Sequence, residues 1–157
     1  MRYYPIPFIF SLLLLGGLGC QVTEENPVST ESASAPLLRL LSPESSGITF
    51  RNEVPEDEKI NILTFEYFHN GGGVAIGDVN NDGRPDIYLT GNVVPNHLYL
   101  NQGGMKFKEV AQPARVKGAA GWNSGVTMVD INNDGWLDIY VCRGGQLPPE
   151  YRSNQLF

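Results

Sequence analysis

The sequence contains two closely similar nine-residue acidic loops, which begin 52 positions apart at residues 78 and 130. Oxygen-bearing side chains stand at loop positions 1, 3, 5 and 9 in both copies. They are Asp78, Asn80, Asp82 and Asp86 in the first loop and Asp130, Asn132, Asp134 and Asp138 in the second. A hard cation such as Ca²⁺ takes about six to eight oxygen ligands, which a tight turn can supply from alternate residues. The spacing therefore predicts one Ca²⁺ site in each loop.

Two further loop positions complete this interpretation. The backbone carbonyls of Arg84 and Trp136, at position 7, are expected to be ligands, and Gly83 and Gly135 are expected at positive φ. The alternative is that Asn-Asp-Gly is only a hairpin turn between two strands. The agreement of both copies at every ligand position favours a metal, because a hairpin does not need the distal Asp. A divalent cation would also relieve the repulsion among three neighbouring carboxylates.

The sequence on either side of each loop indicates strands. Residues 73–77 and 125–129 precede the loops, and the runs 86–90 and 138–142, rich in β-branched and aromatic residues, follow them. An EF-hand would place Glu at position 12 between flanking helices, but this position holds Leu89 and Val141. The pattern predicts an all-β chain in which each loop joins two strands.

This strand, loop and strand arrangement resembles the FG-GAP or VCBS repeat, the blade unit of integrin-type β-propellers. The run Asn-His-Leu-Tyr-Leu-Asn-Gln-Gly-Gly at residues 96–104, with Phe107 after it, is similar to the second half of such a blade. More narrowly, the chain resembles bacterial relatives of cartilage acidic protein, which combine these repeats with an ASPIC/UnbV region. The resemblance covers residues 68–157 and implies calcium-binding loops.

The resemblance implies a β-propeller fragment of about one and a half four-stranded blades. Blade one is expected at residues 73–121 and an incomplete blade two at 122–157. Propellers need about four to eight blades, so we expect this sequence to be the N-terminal, truncated part of a longer protein. Residues 37–72 are predicted as a β lead-in with extended stretches at 47–52 and 60–68, packing beside the first blade or completing the last one.

The N-terminus predicts export. Residues 1–19 are interpreted as a signal peptide of the lipoprotein type, because an uncharged run ends at Leu18-Gly19-Cys20, which resembles a lipobox. Leu18 stands where that motif commonly has a small residue, so secretion without acylation of Cys20 is the alternative. Residues 20–36 lack aromatic side chains and are predicted to be a flexible linker. The expected location is extracytoplasmic, on the outer membrane or cell surface, with a lipid as the only membrane anchor.

Charge and the remaining chemistry exclude several functions. The net charge of −6 argues against a nucleic-acid partner, which would require a basic face. His69 and His97 lie 28 positions apart on predicted β elements, and no G-x-S-x-G motif occurs, so we expect no enzyme activity here. Trp122 and Trp136 are expected to pack in the core or at blade edges rather than bind sugars. Cys142 is expected to be a small buried hydrophobe.

Together these observations predict a calcium-binding extracytoplasmic repeat scaffold that binds or adheres to a protein or glycan. The alternative is the N-terminal part of an extracellular, polysaccharide-active propeller enzyme whose catalytic residues lie beyond this chain.

Overall fold

The computed structural model describes residues 36–119, 121–145 and 148–157. These residues form seven strands in two antiparallel sheets, and residues from Arg39 onward form one compact unit. The first sheet has the order β1-β2-β3-β4, with strands Val74–Gly77, Asp86–Leu89, His97–Asn101 and Phe107–Glu109. The second has the order β5-β6-β7, with strands Trp122–Val129, Asp138–Gly144 and Gln155–Leu156. The all-β prediction and the strands on both sides of each loop are confirmed, as expected for a propeller fragment.

Strand register places the two acidic loops at equivalent points of the two sheets. Gly77 pairs with Asp86 at the end of the β1–β2 hairpin, and Val129 pairs with Asp138 at the end of the β5–β6 hairpin. Each loop thus begins directly after one strand, and its ninth residue opens the next. β7 pairs with β6 as β3 pairs with β2, so the second sheet repeats the first through its third strand.

The hydrophobic core lies between the two sheets. Side chains alternate across a strand, so one face of the first sheet presents Tyr88 and Leu98, which are a cross-strand pair. They cluster with Ile139 and Val141 from the facing side of β6. Tyr88 is fully buried, its hydroxyl donates a hydrogen bond to the carbonyl of Val116, and burial raises the pKa of Tyr88 to about 12. The two repeats therefore share one core.

Two glycines, one just before β1 and one at its end, let the sheets approach closely. A Cβ added to Gly73 would lie 2.7 Å from the backbone nitrogen of Val126, and one added to Gly77 would lie 2.7 Å from Leu137 Cδ1. Distances below 3.0 Å require neighbouring atoms to shift. The contact between β1 and the second sheet thus depends on the absence of side chains at these two positions.

The lead-in differs from its prediction. Within the described residues before β1, the regular element is a single helical turn, α1 (Pro43–Ser46), which Ser42 caps. Residues 47–57 form no strand, and residues 61–69 form turns. The predicted strand at 47–52 and the predicted extended stretch at 60–68 are therefore wrong. Alternating polarity does mark half-burial, because Ile48 and Phe50 are partly buried and Thr49 is exposed, but these residues make no backbone ladder with a neighbouring strand.

Side chains, rather than backbone, attach the lead-in to the first sheet. The Phe50 and His97 rings lie 5.3 Å apart, and the backbone N–H of Thr49 donates to the hydroxyl of Tyr99 at 3.2 Å. Tyr99 is fully buried as a result. The structure thus places the lead-in beside the first blade, which was one of the two arrangements the sequence allowed.

A cluster of buried asparagines, which the sequence analysis did not identify, joins the lead-in to both sheets. Asn52 and Asn92 exchange two hydrogen bonds of 2.6 and 2.9 Å. Asn92 also donates to the backbone carbonyl of Asn123 at 3.1 Å, and Asn123 donates to Asn96 Oδ1 at 2.9 Å. Since Asn92, Asn96 and Asn123 are at most 2% exposed, these bonds replace part of the lost contacts with water, whereas Asn96 Nδ2 and Asn123 Oδ1 are left without a hydrogen bond to the described residues.

Cys142 is exposed on β6, so the prediction of a buried cysteine is wrong. The equivalent residue of the first sheet, Thr90, is 1% exposed and donates from its hydroxyl to the Gly73 carbonyl. The predicted signal peptide, Cys20 and the linker up to residue 35 lie outside the described residues. Over the part of the chain that is described, no helix has the length and apolarity needed to cross a bilayer.

Candidate metal loops

In the first loop, three predicted ligands hold the turn together through their side-chain oxygens. The backbone N–H of Asp82 donates to Asp78 Oδ1 and to Asn80 Oδ1, both at 3.1 Å. The N–H of Gly83 donates to Asp78 Oδ2 at 2.7 Å. The N–H of Arg84 donates to Asp82 Oδ1 at 2.9 Å. Successive N–H groups thus point toward the carboxylates, which concentrates positive backbone dipoles beside negative charge.

The second loop repeats this network bond for bond. The N–H of Asp134 donates to Asp130 Oδ1 and Asn132 Oδ1 at 3.1 and 3.0 Å, and that of Gly135 donates to Asp130 Oδ2 at 2.9 Å. The N–H of Trp136 donates to Asp134 Oδ1 at 2.9 Å. Two segments with different neighbours therefore adopt the same turn, which indicates that the loop sequence itself determines the geometry.

Backbone conformation also agrees between the loops. Gly83 and Gly135 have φ of 83° and 88°, so the predicted positive φ is confirmed at both. Asn81 and Asn133 have φ of 56° and 60°, which the sequence analysis did not predict. The signal was present, since asparagine is among the few residues with a side chain that adopt this region readily.

The ninth residue of each loop fastens the loop to its sheet. Asp86 is fully buried, and its two carboxylate oxygens accept the N–H groups of Val79 at 3.1 Å and Asn101 at 2.8 Å. Asp138 is partly exposed and accepts the N–H of Ile131 at 3.0 Å. The distal Asp thus closes the loop onto its own second residue in both copies, and in the first copy it also binds the end of β3.

The structure brings the predicted ligands at positions 1 and 3 together around the N–H of position 5, and position 9 accepts the N–H of position 2 in each loop. Within the described residues, no group of three or more His, Cys, Asp or Glu side chains converges into a metal site of its own. The donor chemistry nevertheless fits a hard cation, since each loop offers three carboxylates and one amide oxygen and carries a charge of −3 from its acids. Calcium remains a prediction for both loops.

Position 7 is the main difference between the two sites. The Arg84 guanidinium lies 2.6 Å from Asp82 Oδ2, and its Nε donates to the Asn101 carbonyl at 2.9 Å. Trp136 is 52% exposed.

The loops also touch each other, because Asn81 Nδ2 donates to the Gly135 carbonyl at 3.1 Å.

Other residues considered from the sequence have mainly packing contacts. Trp122 is 4% exposed and its ring meets those of Phe65 and Phe68, which agrees with the predicted core role. His97 lies between Phe50 and Tyr99, with Nδ1 3.7 Å from Glu109 Oε1. The contact of His69 is with the ring of Phe68.

A cleft of about 410 Å³ lies beside Trp122. It is lined by Phe65, Glu66, Tyr67, Asn70, Trp122, Ser124 and Gly145. Its lining mixes aromatic and polar groups, and Tyr67 is 55% exposed.

Comparison with known proteins matches residues 78–141 to the FG-GAP-like repeat, a span that includes both acidic loops. The chain is 30% identical over 95 residues to cartilage acidic protein 1 of Xenopus tropicalis, covering 60% of this chain and 14% of that protein. The human protein gives the same identity and coverage, and the mouse protein is 35% identical over 69 residues, or 44% of this chain and 11% of its own length. The chain thus spans about one seventh or less of these curated relatives.

The repeat match supports an extracellular repeat scaffold, in agreement with the two antiparallel sheets and their duplicated loops. On the combined evidence of loop spacing, sheet topology and sequence similarity, residues 78–141 of this chain resemble an FG-GAP-like repeat.

Proposed function

We propose that the chain is a calcium-binding scaffold in which each acidic loop holds one Ca²⁺. The observation that carries this proposal is the duplicated hydrogen-bond network, in which the same acids are oriented by the same N–H groups in two separate loops. The ligands would be the side chains at positions 1, 3, 5 and 9 with the carbonyls of Arg84 and Trp136. The bound cation would neutralise the acids and hold the two strands of each hairpin at a fixed separation.

Calorimetric titration of the full chain with Ca²⁺ tests this proposal. We expect two sites with dissociation constants of about 10⁻⁴ to 10⁻³ M, the range of extracellular calcium modules. Asp82→Ala should remove one site and Asp134→Ala the other, because each deletes a carboxylate at the centre of one loop. Calcium at about 100 times the dissociation constant should stabilise the fold by about 2.7 kcal/mol for each site.

Asp57→Ala is the matched control. Asp57 is an exposed acid whose Oδ1 accepts the N–H groups of Ile60 and Lys59 at 2.7 Å, and these bonds lower its pKa. It therefore resembles the loop acids locally but lacks the other ligand positions. Unchanged calcium binding in the Asp82→Ala and Asp134→Ala double variant, or equal loss in Asp57→Ala, would refute the metal assignment.

The proposed setting is the cell surface, with a lipid on Cys20 as anchor and a protein or glycan as the bound partner. We expect Cys20→Ala to move the protein from the membrane fraction to the soluble extracytoplasmic fraction in a diderm bacterial host. Labelling with a radioactive fatty acid should be lost in parallel. Retention of the variant in the membrane would instead support attachment through another segment.

We further propose that the described residues serve binding rather than catalysis. His97 packs against Phe50 and Tyr99, so its ring helps to seat the lead-in on the first sheet. The test is hydrolase and lyase assays on a polysaccharide panel, in which we expect no turnover by the full chain. Turnover that is lost in His97→Gln but retained in Asp82→Ala would contradict this proposal.

A further inference from the structure

The two loops have the same backbone and the same acids but different position-7 side chains. In the first loop, the Arg84 guanidinium contacts Asp82 Oδ2 at 2.6 Å, on the opposite oxygen from the one that accepts the Arg84 N–H. In the second, Trp136 carries no charge and is 52% exposed. A cation therefore contacts the central carboxylate of one loop and has no counterpart at the same position of the other.

We propose that Arg84 is a built-in counter-cation that weakens calcium binding by the first loop, so that the second loop fills first. This inference rests on the calcium sites proposed above. Two effects act in the same direction. Ca²⁺ must compete with the guanidinium for Asp82, and a divalent ion held by Asp82 would be repelled by the neighbouring positive charge.

The position of the guanidinium is determined at both ends. Its Nε donates to the Asn101 carbonyl at 2.9 Å, and the N–H of Asn101 donates to Asp86 Oδ1 at 2.8 Å. Asn101 Nδ2 also donates to the Pro85 carbonyl at 3.0 Å. The end of β3 thus holds both the Arg84 guanidinium and the distal acid, Asp86. Because of these bonds, the guanidinium does not simply move into solvent when a metal ion approaches the loop.

The expected effect follows from the exposure of the pair. The Arg84 and Asp82 side chains are 47% and 26% exposed, so water and salt screen their interaction. A unit charge beside a divalent ion in such surroundings corresponds to roughly a threefold to tenfold change in affinity. This difference is large enough to separate two binding steps in a titration.

Single-loop proteins provide the test. The full chain with Asp130→Ala and Asp134→Ala retains only the first loop, and the chain with Asp78→Ala and Asp82→Ala retains only the second. Calcium affinity is measured by calorimetry in each, with folding checked by circular dichroism. In the first-loop protein we expect Arg84→Gln to tighten binding about threefold to tenfold, while Arg84→Lys, which keeps the charge, tightens it less.

The reciprocal change is Trp136→Arg in the second-loop protein, which should weaken binding by a similar factor. Both effects should shrink as salt is raised, because they are Coulombic. Unchanged or weaker binding in Arg84→Gln would overturn the inference and indicate that Arg84 preorganises the loop instead. Absence of calcium binding in both folded single-loop proteins would refute the proposed function itself, and the inference with it.

Discussion

Tyr88 and Tyr140 occupy equivalent positions in the two sheets, yet Tyr88 is fully buried and Tyr140 is partly exposed. The same contrast holds at the second residue of each acidic loop, where Val79 packs against the core and Ile131 is 54% exposed. The cause is the second sheet, which covers this face of the first, whereas the corresponding face of the second sheet is not covered by the described residues. Burial here depends on the neighbouring sheet.

Loop geometry shows the opposite behaviour. The hydrogen bonds that backbone N–H groups of residues 78–84 donate to the loop side chains recur in residues 130–136 within about 0.2 Å, although the surroundings of the two loops differ. Local sequence therefore determines the loops, while tertiary contacts determine which strand faces are buried. Four substitution or titration experiments test this distinction.

The largest effect is expected for Tyr88→Ala. Removal of a fully buried aromatic ring should lower the free energy of unfolding by about 3–5 kcal/mol, through lost burial and the cavity that remains. Tyr140→Ala should cost no more than about 2 kcal/mol, because part of that ring is already in water. Chemical denaturation of the full chain measures both. Equal losses would show that the two faces are equivalently covered in solution.

Gly73→Ala should be next, with a loss of about 1–3 kcal/mol, because the new methyl group would lie 2.7 Å from Val126 N and 2.9 Å from Gly125 C. The control is Gly125→Ala, the equivalent position in the second sheet, where the nearest contact of a new Cβ is Cys142 Cβ at 3.8 Å. The free energy of unfolding of Gly125→Ala should lie within about 0.5 kcal/mol of that of the original chain. Thermal unfolding of both variants distinguishes a true contact between sheets from a looser arrangement.

A smaller effect should appear at alkaline pH. Burial raises the pKa of Tyr88 to about 12, so the folded chain keeps this proton after the unfolded chain has lost it near the ordinary value of about 10. The stabilising contribution is full below pH 10 and is lost as pH rises toward 12. Melting temperature measured across this range should fall less steeply in Tyr88→Phe.

The smallest effect is expected for Asn81→Ala, which removes the 3.1 Å bond from Asn81 to the Gly135 carbonyl. Both groups are exposed, and Asn81 and Asn133 both have positive φ, so the loss of stability in Asn81→Ala should exceed that in Asn133→Ala by about 0.5 kcal/mol. If this bond couples the loops, the calcium affinity of one loop should depend less, in Asn81→Ala, on whether the other loop holds calcium. Asn133→Ala, at the equivalent position, is the comparison. A larger loss of stability in Asn133→Ala than in Asn81→Ala would show that the loops are not joined through Asn81.

Sequence reasoning succeeded where information was local. Asp86 and Asp138, the glycines of the turns and the strands around them follow one short pattern that occurs twice, so each copy supports the other. It failed at Ile48 and Phe50, because alternation reports half-burial and cannot tell a paired strand from a segment held by side chains. The asparagine cluster was not predicted because its hydrogen-bonded pairs lie up to 40 positions apart, and nothing local distinguishes Asn52 from a surface residue.

Attachment of the lead-in through Phe50 and Thr49 also affects the outer face of the first sheet. These residues cover His97 and Tyr99, while Val74 and Ile76 on the first strand remain 60% and 66% exposed. Any sheet stacking on this side can reach the first strand directly but is held away from the third. A neighbour on this face would therefore approach most closely along Val74 and Ile76.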